Sequence, residues 1–218
     1  MNGLSGGLFP KLIVLTLFAL ILSLSVTFKR LDDQTRRLPD EAFDAHEFAR
    51  LYWREKLLPD MEQAVEVQEL HRCVSEDVRA AAAEYGHTLG IASVHAFLVR
   101  GEGLVASVSK EKVDLIFPGS DLKVSIRTGL IFGNAIRDAT GEIDVNDYPS
   151  SRDFNNISSA FNQLVQTEVI PSYMEEVRRG LRVRFAGACE VDEDNLELST
   201  LSVVPVRLEI IGSKARFE

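Results

Sequence analysis

Five polar residues between Leu130 and Val165 are the best candidates for chemistry in this chain of 218 residues. They are an Arg-Asp pair and an Asn-Asp-Tyr run that follows shortly after it: Arg137, Asp138, Asn146, Asp147 and Tyr148. A guanidinium, carboxylates, an amide and an aromatic ring are groups with which proteins orient small polar ligands, including sugars. We therefore treat these residues as a candidate site for a small ligand or a carbohydrate.

The same stretch also admits a catalytic role and a purely structural one. Paired carboxylates from this loop could serve a hydrolase as general acid and base. Alternatively, Arg137 and Asp138 could each fix the Asn146-Asp147 loop or a helix end by charge-assisted hydrogen bonds. We place the two at the end of a strand, where neighbouring side chains face opposite ways, so they need not pair with each other.

No complete catalytic or cofactor motif accompanies these residues. The chain lacks a nucleophile elbow, a phosphate-binding loop, a dinucleotide fingerprint and an HExxH pattern. The run from Asp144 to Tyr148 has a fragment of calcium-loop spacing, but it lacks the central glycine and has a tyrosine at a ligand position. We therefore predict a non-enzymatic protein without a cofactor or a metal site.

The two cysteines, Cys73 and Cys189, are far apart in the sequence and form no CxxC pair. They are either two separate buried thiols or, in an oxidising compartment, one disulfide between an N-terminal helix and a late strand.

Helices precede the candidate site. Asp44 and Glu47 have the spacing of a capping box, which predicts a first helix that Pro59 interrupts. We expect a second helix to restart at Asp60 and a third to be capped by Ser75.

After the helices the hydrophobic pattern becomes alternating, which predicts strands separated by turns. The predicted strands are Ala96–Arg100, Leu104–Val108, Val113–Phe117, Leu122–Ile126, Leu130–Ile136, Leu181–Phe185 and one or two between Leu196 and Ile211. Gly101-Glu102-Gly103 is interpreted as a hairpin turn, and Pro205 would fit an edge or a bulge.

An amphipathic helix from about Asn156 to Val169 interrupts the strands, with Asp153 or Asn155 as its cap and Pro171 at its end or kink. This order predicts an α+β fold: a helical segment, then a small antiparallel β-barrel of the OB type with an inserted amphipathic helix.

An uncharged run, Leu12–Phe28, is flanked by Lys11 and by Lys29-Arg30. Its length and composition favour an uncleaved membrane-anchor helix over a cleaved signal peptide. We predict a signal anchor over residues 1–30, a tether over 31–40 and a single domain over 41–218. The basic residues after the run would, by themselves, leave that domain in the cytoplasm.

The net charge of −9 and the isoelectric point of about 5.0 indicate which partners to exclude. A protein that binds a phosphate backbone normally presents a basic face, so we predict no nucleic-acid partner. The same acidic balance argues against electrostatic binding to anionic lipid.

From Phe43 to Ile210 the sequence resembles the predicted periplasmic lipoproteins grouped as domain of unknown function 2291. The resemblance rests on six segments taken together: FDAHEFARLYWREKLLP (43–59), YGH (85–87), FLVRGEGLV (97–105), GNAIRDATGEIDVNDY (133–148), FNNISSAFN (154–162) and VVPVRLE (203–209). The chain differs from the family in lacking a lipobox cysteine and in reading Ser150-Ser151-Arg152-Asp153 where members tend to read Asn-Gln-Ile-Glu.

The resemblance implies a β-barrel core with added helices on the periplasmic side of the inner membrane, and it supplies no catalytic residues. It also implies an accessory role in sugar uptake, because members are often encoded beside ABC importers for sugars. We therefore expect a single-pass inner-membrane protein whose C-terminal domain faces the periplasm and contacts a transporter or its binding protein.

Overall fold

The computed structural model describes residues 43–90, 92–196 and 200–212. Its strands are β1 (Val65–Glu66), β2 (Gly86–Thr88), β3 (Val94–Val108), β4 (Lys112–Ile116), β5 (Lys123–Arg127), β6 (Arg182–Asp192) and β7 (Thr200–Gly212). Five of them close into a barrel in the order β3-β4-β5-β7-β6, with β6 pairing back to β3. The β5–β7 pair is parallel, and the other barrel pairs are antiparallel. The predicted small barrel is confirmed, but it is not wholly antiparallel as predicted.

Helices lie before the barrel strands and between β5 and β6. They are α1 (Ala45–Tyr52), α2 (Leu58–Asp60), α3 (Val67–Glu76), α4 (Val78–Tyr85), α5 (Ala135–Thr140), α6 (Ser151–Leu164) and α7 (Ile170–Glu176). The anchor and tether predicted over residues 1–40 lie outside the described ranges. Among the helices of those ranges, none has the length and apolar character needed to cross a membrane.

Side chains of the barrel strands alternate between two apolar cores. On β6, Val183 and Phe185 face the barrel interior, where α3 and α4 also pack. Ala186 and Ala188 point outward into a second core, formed with α1, α5, α6 and α7. Alternate side chains along one strand therefore contribute to both cores. The second core holds the helices that surround the candidate site.

Pro171 lies inside a helical run that continues to Glu176, whereas the run that contains Pro59 ends one residue later, at Asp60. Pro59 follows the π-helical segment Trp53–Leu57, and Pro171 follows the π-helical segment Val165–Val169. A proline ring collides with the carbonyl four residues earlier and has no N–H to donate. In both places a wider turn precedes the proline. The interruption predicted at Pro59 lies within one residue of the observed end of the run, and the helix does not end at Pro171.

The first helix begins as predicted, whereas the next two do not. The Asp44 carboxylate caps α1 by accepting hydrogen bonds from the backbone N–H groups of His46 (2.8 Å) and Glu47 (3.1 Å). No helix restarts at Asp60, which is the last residue of α2. Ser75 lies inside α3, and Asp77 caps α4 instead.

Two strand predictions are also wrong. The segment Leu130–Ile136 is a loop that leads into α5 rather than a strand. Gly101-Glu102-Gly103 is not a hairpin turn, because β3 runs through it as one strand of 15 residues paired with β6. A Cβ on Gly101 would lie 2.9 Å from Val67 Cγ1, so close packing requires this glycine.

The predicted amphipathic helix is present as α6, but it begins earlier than expected. Its cap is the Ser150 hydroxyl, which accepts a hydrogen bond from Asp153 N at 3.2 Å, rather than Asp153 or Asn155. Pro205 lies at a bulge, as one of the two predicted alternatives stated, because the β6–β7 register shifts next to it.

Candidate functional site

Arg137 is buried, and neighbouring side chains engage its guanidinium. It lies on α5 with 2% of its surface exposed. Its Nε and Nη2 atoms are each 2.7 Å from Asp138 Oδ1, and its guanidinium carbon lies 3.8 Å from the centre of the Phe154 ring. The expectation that neighbouring Arg137 and Asp138 need not pair is wrong, because it assumed a strand and the residues are helical.

Arg137 also joins α5 to α6. Its Nη1 donates a hydrogen bond to Asn155 Oδ1 over 3.3 Å. A guanidinium has donors only, so the amide of Asn155 must present its oxygen to Arg137 and keep its NH₂ group for other partners.

The remaining predicted residues are on the loop after α5, in and beside the 3₁₀ turn Val145–Asp147. The backbone N–H and the side-chain amide of Asn146 both donate to Asp144 Oδ1, at 2.8 and 2.7 Å, which closes the turn. Asp147 is exposed. Neither residue is hydrogen-bonded to Arg137 in the described part of the chain.

Tyr148 is a packing residue. Its ring centre lies 5.2 Å from that of Phe43 and 5.7 Å from that of Phe48, in edge-on arrangements that attach α1 to the loop. Burial, followed by the nearby charge of Asp147, raises the pKa of the Tyr148 hydroxyl. None of the five predicted residues lines either of the two clefts described next.

A cleft of about 620 Å³ lies between the loop before α5 and one face of α6. We call it the amide cleft, because amides and hydroxyls predominate in its lining: Ile131, Phe132, Gly133, Asn134, Asn155, Ser158, Ser159, Asn162, Gln163 and Gln166. None of these residues is charged, although 26% of the whole chain is charged.

The loop that forms one wall of the amide cleft is held at three points. Arg127 donates to the carbonyl oxygens of Phe132 (3.3 Å) and Leu130 (3.4 Å). Ile131 is buried in the second core with 4% of its surface exposed, and Asn162 Nδ2 donates to Gly133 O at 2.9 Å. The side chains of Leu130 and Phe132 therefore project from a fixed backbone, 72% and 67% exposed.

A second cleft, of about 510 Å³, lies on the outer face of β3, β6 and β7. We call it the charged cleft. Its ionisable residues are Glu62, Glu66, Glu102, Glu209, Arg100, Arg184 and Arg207. Within it the Arg184 guanidinium lies 2.6 Å from Glu102 and 3.4 Å from Glu209, Arg100 lies 3.1 Å from Glu66, and Arg207 pairs with Glu62.

One histidine lies in a hydrogen-bonded chain that the sequence did not indicate. His95 Nδ1 is 2.6 Å from Thr88 Oγ1, and its Nε2 is 3.4 Å from Glu193 Oε2. Two 2.9 Å bonds connect Glu193 to Arg79. Hydrogen bonds from Arg79 and then His95 hold the pKa of the Glu193 carboxyl at about 2. The Glu193 carboxylate therefore stays ionised and paired with Arg79 at neutral pH. Neither Thr88 nor His95 lines the two clefts above.

Cys73 and Cys189 are both free thiols, so the disulfide alternative is not present in the structure. Both contact the interior core of the barrel. Burial raises the pKa of the Cys189 thiol to about 12, which keeps it protonated and unreactive at neutral pH.

The amide cleft could have been predicted from a repeat of polar residues in the sequence of α6. Asn155, Ser158, Asn162 and Gln166 recur every three or four residues, the spacing that places side chains on one helix face. Our sequence reasoning followed only the apolar face of this helix, and it placed the facing loop in a strand.

The closed barrel, its strand order and its parallel β5–β7 pair define the chain as an OB-fold protein. The crystal structure of an OB-fold protein from Thermotoga maritima is similar to it, with a TM-score of 0.69 and 24% sequence identity, covering 78% of this chain and all of the other. That likeness concerns the fold alone.

The chain belongs to the family described as predicted periplasmic lipoprotein (DUF2291), whose family model matches residues 16–209. Membership supports a periplasmic, membrane-associated location. No curated protein shows detectable similarity to the chain.

Proposed function

We propose that this chain is a non-enzymatic periplasmic accessory protein of a sugar ABC importer, held at the inner membrane by the segment Leu12–Phe28. In this proposal it acts by docking on the transporter or on its binding protein. Family membership supports the compartment. The association of relatives with importer genes, as implied by the resemblance, supports the choice of partner.

The exposed pair Leu130 and Phe132 is the observation that carries the docking proposal. Two large apolar side chains, 72% and 67% exposed, lie two residues apart on a backbone fixed by Arg127, Ile131 and Asn162. Exposed apolar groups commonly mark interaction surfaces, and groups fixed before binding lose little conformational entropy when a partner covers them. The Arg127 guanidinium carbon also lies 4.8 Å from the centre of the Phe132 ring, a cation–π contact that helps to hold this side chain in place.

The structural bonds of two carboxylates, Asp138 and Asp144, support a non-enzymatic role, whereas Asp147 is exposed. Asp138 is bonded to Arg137, and Asp144 closes the turn at Asn146. A general acid or base needs a proton that it can exchange with a substrate, and these two groups are engaged in structural bonds instead.

Site-specific photo-crosslinking in cells tests the docking proposal. A photoreactive residue replaces Leu130 or Phe132 in the full-length chain, and the matched control replaces Leu51, which is 43% exposed on α1. We expect adducts with the importer or its binding protein from positions 130 and 132 but not from position 51. Absence of such adducts at 130 and 132, or identical adducts from all three positions, would reject docking through this loop.

A second experiment tests the compartment separately. Alkaline phosphatase fused to the C-terminus should be active in cells, because that enzyme requires the oxidising periplasm to form its disulfides. An inactive fusion would place the domain inside the cytoplasm, as the basic residues after Phe28 favour.

A further inference from the structure

The lining of the amide cleft matches a neutral ligand better than a charged one. Its walls carry seven amide or hydroxyl side chains and none that is charged. Neither Arg127 nor Arg137 lines the cleft: Arg127 donates to loop carbonyls and lies 4.8 Å from the centre of the Phe132 ring, and Arg137 is buried against Asp138. Transferring a charged ligand from water into this cleft has a high free-energy cost, because no charged group in the lining pairs with it. Transferring a neutral polar ligand costs less, since the amides and hydroxyls can replace its hydrogen bonds to water.

Two amides on α6, those of Asn155 and Asn162, are each oriented by one hydrogen bond to the protein. Asn155 gives its oxygen to Arg137, which leaves its NH₂ group as a donor. Asn162 gives its NH₂ group to Gly133 O, which leaves its oxygen as an acceptor. One helix face thus presents a fixed donor and a fixed acceptor two turns apart, roughly 10 Å along the axis.

Ser158 lies between these two amides and provides an independent sign of a ligand. It is only 4% exposed, and its hydroxyl has no hydrogen-bond partner within the described ranges. A buried polar atom without a partner is costly, and the described residues contain one other such hydroxyl, that of Tyr173 in the core. This oxygen has almost no surface accessible to water in the structure, so a ligand hydroxyl would complete its bonding only after a small shift of the cleft wall.

The remaining wall is apolar. Phe132 offers part of an aromatic ring, and Ile131 lies beside it. Sugars and related polyols combine hydroxyl groups, which both donate and accept hydrogen bonds, with C–H faces that pack on an aromatic ring. The volume of about 620 Å³ lies within the range of small-molecule sites.

We infer that the amide cleft binds a neutral, hydroxyl-rich molecule of the size of a mono- or disaccharide through Asn155, Ser158, Asn162 and Phe132. This inference goes beyond the docking role, because it requires no partner protein.

Calorimetric titration of the full-length chain tests the inference. The protein is kept in a detergent without a sugar headgroup, since such a headgroup would itself compete for the cleft. The probes are glucose, ribose, xylose and maltose, with glucuronate as the charged counterpart of glucose. We expect saturable binding of at least one neutral probe and at least ~10-fold weaker binding of glucuronate than of glucose.

Two variants locate the binding. Ser158→Ala removes the hydroxyl, and Asn155→Asp keeps an oxygen for Arg137 while removing the NH₂ donor. Each should weaken the binding of a responsive probe by at least ~10-fold. Asn156→Ala is the matched control, because Asn156 is exposed on the same helix and does not line the cleft; its affinity should equal that of the wild type.

The inference is overturned if no neutral probe binds, or if both variants bind as tightly as the wild type. Preserved crosslinks from position 130 together with absent sugar binding would overturn the cleft inference alone. Sugar binding without crosslinks would instead reject the docking role and keep the cleft.

Discussion

The charged cleft and the amide cleft are similar in volume but opposite in how their polar groups are engaged. In the charged cleft, carboxylates of the protein itself already pair with the guanidinium groups of Arg100, Arg184 and Arg207, although Arg100 Nε has no hydrogen-bond partner among the described residues. In the amide cleft, Asn155 and Asn162 each make one of the hydrogen bonds above and face no charged partner in the cleft, and the Ser158 hydroxyl has no partner among the described residues. A ligand must displace bonds in the first cleft, whereas it can complete them in the second.

Cross-strand register explains why the charged cleft is internally paired. Arg184 on β6 faces Glu102 on β3 and Glu209 on β7, so opposite charges alternate across three strands. Opposite charges at directly facing positions stabilise a sheet. The cleft therefore contributes to the fold, and its volume alone does not make it a binding site.

The largest predicted effect concerns Arg137, the buried cation behind the amide cleft. Arg137→Met should lower the free energy of unfolding by about 3 kcal/mol, because it leaves Asp138 without its partner and breaks the bond to Asn155. Urea unfolding followed by circular dichroism measures this loss. Arg54→Met is the control, since Arg54 is 71% exposed, and it should change stability by less than about 0.5 kcal/mol.

A double variant separates the charge from the packing of Arg137. Arg137→Met combined with Asp138→Asn removes the unpaired carboxylate as well, so it should be more stable than Arg137→Met alone. Equal stability of Arg137→Met and Arg54→Met would mean that the support behind the amide cleft is not electrostatic.

A smaller effect is expected from Glu193, whose ion pair with Arg79 lies outside both clefts. The pKa of Glu193 is about 2 in the folded chain, below its ordinary value of 4.5. Its contribution to stability is therefore complete above about pH 4.5 and is lost as the pH falls towards 2. Between these values the wild type should lose more stability than Glu193→Gln.

Arg79→Ala provides the matching test for Glu193, because Arg79 is the largest cause of the lowered pKa. This variant should lose less stability than the wild type over the same acid range. Identical acid titrations of the wild type, Glu193→Gln and Arg79→Ala would contradict the assignment.

Arg184 gives a still smaller effect and tests the charged cleft directly. Its side chain is 53% exposed, and those of Glu102 and Glu209 are 42% and 45% exposed. Ion pairs open to water contribute little, so Arg184→Ala should lower the free energy of unfolding by about 0.5 kcal/mol. A loss above about 2 kcal/mol would show that these ion pairs stabilise the fold more than their exposure indicates.

The barrel could be predicted from the sequence because strand periodicity is a local property. The alternation in Val113–Phe117 and Leu122–Ile126 predicted β4 and β5 almost to the residue. The turn prediction at Gly101 was wrong because a glycine in a sequence is compatible with a turn and also with close packing inside a strand. The close approach of the Val67 side chain shows that packing is the reason here, and the sequence does not reveal that contact.

The candidate site could be predicted only in part. The sequence pointed to the right stretch, Leu130–Val165, but it favoured the charged residues over the neutral ones. Arg137 looked available because nothing local reveals that Phe154 and Asp138 enclose it. The amide cleft depends on Asn162 meeting Gly133 O, a contact between residues far apart in the sequence. Such contacts follow from tertiary packing, which periodicity does not describe.

The smallest predicted effect on stability is also the sharpest test of the comparison. Ser158→Ala removes a buried hydroxyl that has no partner among the described residues, so no hydrogen bond is lost and a desolvation cost is relieved. We expect the free energy of unfolding to stay the same or to rise by a few tenths of a kcal/mol. Thr140→Ala is the contrasting variant, because the Thr140 hydroxyl is equally buried but donates to Arg137 O at 2.7 Å. That variant should lose about 1 kcal/mol. If Ser158→Ala lost as much as Thr140→Ala, the Ser158 hydroxyl would already be bonded within the fold, and the amide cleft would be as internally satisfied as the charged one.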